Sequence, residues 1–400
     1  MNKWSIYNLV ITCMLLGACG GKQSTEKTVV LEEEQHGTEF PITVPFEMGI
    51  ENEREVSLSQ IAEKVEYIPL ETKADCLLSN YRGYIQYIAG NYIIPCSRGV
   101  YMFDGKGKFV RRIGRQGQGP GEYSLVLSLD VDRENELIYL LDNGKVNVYS
   151  LTGDYLKSIP LPEVRYAAIL NDSILASFIY NSSGQMKDRI LLFNQAGDKV
   201  KVFPRHDLFT IEKGITYMMM GNNDRYLFHY DNHLCFKDYY CDTLYTVTEN
   251  ELQPRYVIQL GKYAMPLEAR WENQRGDQNK FTKIASSYLR VNVMETDSFL
   301  FMPYSHWAGE KSRLEEILIY EKNTQACFKV AGNIIKNDLE GKLPFIPYTS
   351  IGDNLLLSIW TPSDILEQAD KDSSILEHPQ LKGLKEDDNP VLMVVHFKYS

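Results

Sequence analysis

The sequence predicts an all-β protein, a six-bladed β-propeller in which a strand from near the N-terminus closes the last blade. Six short polar turns each separate two strand-like runs, and they recur about every 45 residues. These turns are Gly90-Asn91, Arg133-Glu134-Asn135, Asn171-Asp172, Asn222-Asn223-Asp224, Thr296-Asp297 and Asp353-Asn354. A repeat of this length is typical of a propeller blade, because one four-stranded blade cannot bury both of its faces and must stack on its neighbours.

The strand count predicts how the ring closes. The first five blades each have a second turn between their two outer strands: Asp104-Gly105-Lys106-Gly107, Thr152-Gly153, Ala196-Gly197, Glu249-Asn250 and Asn323-Thr324. The third strand of the sixth blade, Val391 to Phe397, runs almost to Ser400 and leaves no chain for a fourth. We therefore expect the strand from Val65 to Leu70 to fill that place, because an open ring would expose strand edges.

Composition supports a globular β protein and restricts its partners. Hydrophobic residues make up 44% of the chain and aromatic residues 12%, with 26 tyrosines, which suit half-buried strands better than a helical bundle. The formal net charge is -11 and the pI is about 5.3. Nucleic acid and anionic lipid headgroups are therefore not expected as partners, because no basic field is available to hold phosphates.

The N-terminus resembles a bacterial lipoprotein signal. Lys3 precedes an apolar run from Ile6 to Leu16 that is too short to span a bilayer, and Leu16-Gly17-Ala18-Cys19 resembles a lipobox. The resemblance implies cleavage before Cys19, lipid attachment to its thiol, and an outer-membrane lipoprotein of the cell envelope; the alternative is an ordinary signal peptide with a chance cysteine. The predicted domains are a signal peptide (1–18), a flexible tether (19–55) and the propeller (56–400).

The cysteines allow two arrangements. Of the seven, Cys13 would leave with the signal and Cys19 would carry lipid. An odd number remains, so at least one is unpaired. Cys235 and Cys241 either form a disulfide across a hairpin or stay as free thiols.

Two groups of motifs carry a family resemblance. The run IGRQGQGPGEY (113–123), with DVDRENELIYLLD (130–142) and VNVYSLTG (146–153), resembles the NHL-type propeller repeat. VEYIPLET (65–72) near the start and DDNPVLMVVHFK (387–398) at the end are similar to the six-bladed β-propeller lipoproteins of Bacteroides-type bacteria. The resemblance covers about Val56 to Ser400 and implies a fold and a location, but no established reaction.

No catalytic residue, cofactor or metal ligand is assigned from the sequence. The run Gly117-x-Gly119-x-Gly121 lacks the context of a Rossmann motif or P-loop and is interpreted as a tight blade connector. His229 and His233 are four apart but flank a turn, not the helix that a metalloprotease pair requires. Because NHL-like propellers include lyases and hydrolases with a metal on the axis, a metal-assisted enzyme is the alternative function.

The preferred function is a binding module for a glycan, a peptide or another envelope protein. Two insertions, residues 261–287 and 361–390, fall on the face where each blade connects to the next, which makes that face loop-rich. The ligand-binding residues predicted on it are Trp271, Trp307, Trp360, His306, Arg115 and Arg112. Two alternatives remain open: the tryptophans fasten the insertions to the disc, and the arginines pair with nearby acids.

Overall fold

Turns rich in Gly, Asn and Asp divide the chain into short strands that assemble into six sheets around a central axis. The computed structural model describes residues 40–79, 85–162, 164–181, 183–210, 226–267, 269, 278–310 and 315–399. The fold is a six-bladed β-propeller, as the sequence predicts.

The described chain begins with a segment of short elements that precedes the first blade. They are β1 (Ile42–Val44), α1 (Phe46–Ile50), β2 (Glu53–Arg54), α2 (Leu58–Ile61) and β3 (Ala62–Pro69).

Blades 1 to 3 are antiparallel sheets built from consecutive strands. The strands are β4 (Gln86–Ile88), β5 (Asn91–Cys96), β6 (Gly99–Asp104) and β7 (Phe109–Ile113) in blade 1; β8 (Arg115–Gln116) and β9 (Glu122–Tyr123) in the connector; β10 (Ser128–Asp132), β11 (Leu137–Asp142), β12 (Lys145–Ser150) and β13 (Tyr155–Pro160) in blade 2; and β14 (Tyr166–Asn171), β15 (Ile174–Phe178), β16 (Asp188–Asn194) and β17 (Lys199–Pro204) in blade 3.

Blades 4 to 6 follow the same order from the axis outward. Their strands are β18 (Leu227–Tyr230), β19 (His233–Lys237), β20 (Thr243–Val247) and β21 (Leu252–Ile258) in blade 4; β22 (Leu289–Val291) and β23 (Met294–Glu295), which share the inner position, with β24 (Phe299–His306), β25 (Glu316–Glu321) and β26 (Ala326–Val330) in blade 5; and β27 (Thr349–Gly352), β28 (Leu355–Trp360), β29 (Val391–Phe397) and β3 in blade 6.

Helices occur mainly in the two insertions. The first insertion contains the 3-10 turn Gly261–Tyr263 and helix α3 (Gln278–Ala285). The second contains α4 (Pro362–Lys371), capped by the Thr361 side chain, and the 3-10 turn Ser373–Glu377. A further 3-10 turn spans Ala331–Asn333. Within the described residues, no helix combines the length and the apolar character needed to cross a bilayer.

Strand burial follows from how blades stack. Middle strands such as β6 and β12 are buried along most of their length, because each blade packs between two others. The outer strands β13 and β17 each begin with four exposed residues. The core is therefore a set of apolar layers between successive blades.

The predicted closure of the ring is confirmed. β3 pairs antiparallel with β29, with Val65 opposite Val395 and Pro69 opposite Val391. Val65 and Tyr67 are buried in the same apolar cluster as Val395. The last blade thus takes its outer strand from the N-terminal segment.

The predicted tether extends too far along the chain, because ordered structure begins well before residue 56. β1 pairs in parallel with β21 of blade 4, and β2 pairs in parallel with β26 of blade 5. Phe46 of α1 is fully buried and its ring lies 5.3 Å from that of Tyr304. The short strands β1 and β2 cover the outer edges of two blades, which the sequence did not reveal because neither strand is long enough to show a period.

Two further details differ from the sequence prediction or settle an open alternative. The turn between the first two strands of blade 4 is Asp231-Asn232, with φ of 48° and 55°, whereas Asn222–Asp224 lie outside the described residues. Asn and Asp tolerate this left-handed conformation, so both segments carry the same turn signal.

Cys235 and Cys241 do not form a disulfide, and Cys235 is a buried free thiol whose pKa is raised to about 12 by burial.

Candidate functional site

The inner strands of all six blades line a cavity on the propeller axis. Each blade contributes at least one residue to its wall, for example Gln86, Asp130, Ala167, His229, Met294 and Ser350. The centre of a water molecule can occupy a volume of about 60 Å³ within this cavity. A single water needs roughly 10–15 Å³ by this measure, so the cavity has room for about four to six waters.

A hydrogen-bonded pair of side chains lies inside this cavity. Nε2 of His229, on β18, is 2.9 Å from Oδ2 of Asp130, on β10. The same carboxylate oxygen accepts the backbone N–H of Ile169 at 2.7 Å, and Oδ1 accepts the N–H of Val131 at 2.9 Å. Asp130 therefore connects blade 2 to the next two blades of the ring.

The environment of Asp130 favours its ionised form. Burial by itself raises the pKa of this carboxyl, but His229 and the backbone N–H groups of Ile169 and Val131 outweigh burial and hold the pKa below its ordinary value. Because an ionised carboxylate only accepts hydrogen bonds, Nε2 of His229 is the donor. The Nδ1 atom of this ring has no partner among the residues that the structure describes.

Two polar side chains of the cavity wall are free to contact a ligand. Neither the Gln86 amide nor the Arg133 guanidinium has a hydrogen-bond or ion-pair partner in the described part of the chain. The hydroxyl groups of Ser128 and Ser350 already donate to backbone carbonyls, those of Ala167 at 3.2 Å and Gly352 at 3.0 Å. The cavity thus combines an internally satisfied carboxylate with unused polar groups.

Two of the predicted tryptophans, Trp307 and Trp360, are buried away from this cavity. Trp307 is 4% exposed, its Nε1–H donates to the Leu289 carbonyl at 3.0 Å, and its ring stacks on Tyr240 at 4.5 Å. With Phe281 of α3 it forms the apolar cluster that holds the first insertion. This arrangement corresponds to the alternative in which the tryptophans fasten the insertions to the disc.

Trp360 serves the second insertion in the same way. It is 6% exposed and belongs to the apolar cluster that contains Ile365 and Ala369 of α4. Trp307 and Trp360 therefore lie in separate clusters and do not border one pocket. Trp271 and Cys19 lie outside the described residues.

The predicted polar residues of the loop-rich face are engaged within the protein. Nε of Arg115 is 2.5 Å from Glu122, whose other carboxylate oxygen accepts the Gly119 N–H at 2.8 Å. The glycine run therefore wraps a carboxylate of its own chain. Arg112 donates twice to the Asp75 carbonyl, at 2.8 and 3.2 Å. Nδ1 of His306 contacts the Ser286 carbonyl of the first insertion.

Sequence reasoning missed the central role of Asp130 and used His229 only as half of a rejected metal pair. The available signal was Asp130 itself, a charged residue in the middle of a strand that is buried along its whole length. His233, the other histidine of the rejected metal pair, contacts the Asp231 carbonyl at the turn. Within the described residues, no group of three or more His, Cys, Asp or Glu side chains is placed to hold a metal ion.

The fold and this cavity define a class: six-bladed β-propellers with a polar site on the axis. Within that class, the chain belongs to the family described as domain of unknown function DUF4934, whose model matches residues 41–396. The match starts at the strand that covers blade 4, so the family includes the N-terminal segment as well as the blades. No curated protein matches the chain.

One solved structure supports the fold, and two others are reported for comparison. A crystal structure of a Bacteroides fragilis NCTC 9343 protein described as exported has a TM-score of 0.68 and 21% identity, covering 89% of this chain and 99% of that one. The extracellular domain of a one-component system from B. thetaiotaomicron has a TM-score of 0.36 and 14% identity, covering 67% of this chain and 29% of that one. BamB from Moraxella catarrhalis has a TM-score of 0.35 and 12% identity, covering 74% of this chain and 72% of that one.

Proposed function

We propose that this protein is an exported, membrane-tethered binding protein whose ligand occupies the axial cavity. The observation that carries the proposal is the Asp130–His229 pair, which places a buried charge and an imidazole in a cavity lined by all six blades. Ligand sites are typically concave and mostly apolar, with a few polar groups that fix orientation. The apolar wall around this pair, including Leu129, Phe228 and Met294, fits that description.

The cavity volume restricts what can enter. Room for about four to six waters corresponds to roughly 120–180 Å³ of liquid, which is of the order of one sugar ring or one side chain. A glycan or peptide would therefore insert a single terminal group. The remainder would lie over the rim of the channel, where the loop-rich face is one of the two ends.

The tether depends on Cys19. The description of the B. fragilis protein as exported agrees with the lipobox at Leu16-Gly17-Ala18-Cys19. Substituting Cys19→Ser should abolish lipid labelling and move the protein from the membrane fraction to the soluble fraction. Unchanged membrane association of C19S would show that the tether is wrong.

The axial site is tested by filling the cavity. Arrays of glycans and short peptides, probed with the purified full-length protein, identify a binder. Ala167→Leu should abolish its binding, because the larger side chain takes up the space that the ligand needs. Ala196→Leu makes the same change at an exposed turn of the same blade and should leave binding intact.

The outcome of this comparison decides the location of the site. Thermal unfolding of both variants checks that each is folded before binding is measured. If folded A167L binds the array ligand as well as the wild-type protein, the ligand does not occupy the axis. Contact through Trp271 on the loop-rich face would then be the prediction to test.

A further inference from the structure

Resting on the axial site proposed above, we infer that the ligand presents a carboxylate group to the cavity, where Arg133 and Gln86 bind it. The inference follows from which hydrogen-bonding groups of the wall are used within the protein and which are not. Gln86 is half-buried and Arg133 is exposed, so water solvates both side chains, and a ligand that displaces this water from the cavity must supply hydrogen-bond partners in its place.

The unused groups are predominantly donors. An arginine side chain offers five N–H donors and no acceptor, and a glutamine amide offers two donors and one acceptor. Both side chains line the cavity without a partner among the described residues. A ligand group rich in acceptors therefore complements this wall better than one rich in donors.

The positive charge of Arg133 favours the same ligand, whereas the negative charge of Asp130 opposes it. Asp130 is the acidic side chain of the described cavity wall, and both of its oxygens already accept hydrogen bonds. The neighbouring acid Asp132 does not pair with Arg133, since its carboxylate accepts from the backbone of Glu134 and from Asn135. The positive charge of Arg133 is thus available, and a carboxylate matches its planar, two-pronged geometry.

The rest of the protein does not explain the binding of an anion. With a net charge of -11, the molecule as a whole repels anions. Selection for a carboxylate must then come from the cavity itself. The part of the ligand that enters the cavity is small, because the cavity has about the volume of one sugar ring. Two sources of such a carboxylate fit this volume: an acidic sugar and the C-terminus of a peptide.

The test uses small carboxylates and their neutral counterparts on the full-length protein. D-glucuronate is paired with D-glucose, and N-acetylalanine with N-acetylalaninamide, so that each pair differs in the charged group. Binding is followed by the NMR signals of the His229 ring, assigned by their loss in His229→Gln. We expect at least one carboxylate to shift these signals at millimolar concentration while its neutral counterpart does not, and the pair that responds identifies the source.

A matched pair of variants shows whether Arg133 is responsible. Arg133→Gln should weaken carboxylate binding about tenfold or more, the effect of losing a charge-assisted hydrogen bond. Arg98→Gln removes an exposed arginine from a turn of blade 1 and should leave the affinity unchanged.

The other outcomes separate failure of the carboxylate inference from failure of the proposed axial site. Equal binding of charged and neutral probes at His229, or no effect of R133Q, overturns the carboxylate inference and leaves the axial site standing. If no carboxylate shifts the His229 signals, the carboxylate inference is also wrong. If, in addition, the array ligand is indifferent to A167L, the proposed axial function fails as well.

Discussion

His229 and Asp130 are 99 positions apart in sequence, yet Nε2 of the imidazole lies 2.9 Å from Oδ2 of the carboxylate. The two residues belong to blades 4 and 2, and the blade between them contributes the N–H of Ile169 to the same oxygen. One buried carboxylate therefore fixes the relative positions of three inner strands. It also supplies the only buried ion pair of the described residues that lines the axial cavity.

Asp130→Asn should lower the free energy of unfolding by about 2–3 kcal/mol at neutral pH, because the amide cannot replace the charge-assisted bond to His229. The folded-state pKa of Asp130 is depressed below its ordinary value of 3.8. Its contribution is therefore complete above that pH and is lost as the pH falls through the lower folded-state pKa.

Urea unfolding at about pH 7 and about pH 3 measures this effect. The difference between wild type and D130N should shrink at the lower pH. Asp387→Asn, at an exposed position of the second insertion, serves as the control and should change little at neutral pH. Equal stability of D130N and wild type at neutral pH would contradict the role assigned to the pair.

Trp307→Ala should destabilise the protein by about 3–5 kcal/mol, the usual cost of removing a buried tryptophan. Trp307→Phe keeps a ring against Tyr240 but loses the bond to the Leu289 carbonyl, so its cost should be smaller, about 1–2 kcal/mol. Thermal unfolding and array binding are measured on both variants. Weaker binding by W307A without any loss of stability would restore Trp307 as a ligand contact.

Gly49→Ala should destabilise the protein by about 1–3 kcal/mol, although alanine is the better helix former. A Cβ at position 49 of α1 would lie 2.6 Å from Sγ of Cys327, which is too close. In the Cys327→Ala background most of this cost should disappear. A double-mutant cycle by urea unfolding gives the coupling, and additive effects would show that α1 packs differently.

Removal of β3 should open the ring. A variant lacking residues 20–71 loses the outer strand of blade 6 and exposes the edge of β29, so it should aggregate and unfold at lower temperature. A variant lacking only residues 20–34 should unfold at nearly the wild-type temperature. Size-exclusion chromatography and thermal unfolding compare the two, and equal behaviour would argue against closure by β3.

The free cysteines should differ in reactivity. Burial raises the pKa of the Cys235 and Cys327 thiols to about 12, whereas Cys241 is half-exposed in the turn after β19. Iodoacetamide should therefore label Cys241 of the native protein before the other two. Mass spectrometry of the unreduced protein is the check, and a Cys235–Cys241 crosslink would contradict the structure.

Much of the fold was predictable because strands and turns are local. Gly90-Asn91, Asn171-Asp172 and Asp353-Asn354 lie where the sequence places turns, since these residues adopt turn conformations at little cost. Blade 4 shows the limit of this reasoning. Asn222–Asp224 and Asp231-Asn232 carry the same signal, and only strand pairing between β18 and β19 identifies the second as the turn.

The site was less predictable than the fold. Aromatic residues in long loops suggested an exposed rim, but Trp307 and Trp360 are the apolar anchors that their insertions need. An insertion cannot bury its own apolar residues, so it takes a large side chain from the blade beneath. The sequence contains the residues of both arrangements and does not distinguish them.

By itself, the sequence determined the number of blades, the closure by β3 and the acidic character of the molecule, because periodicity, turn chemistry and charge are properties of short segments or of composition. The tertiary structure alone decided that Asp130 meets His229, that Arg133 and Gln86 line the axial cavity with unused donors, and that Trp307 and Trp360 are buried. These features depend on distances between residues of different blades, which are set only when the ring closes and brings six inner strands around one cavity.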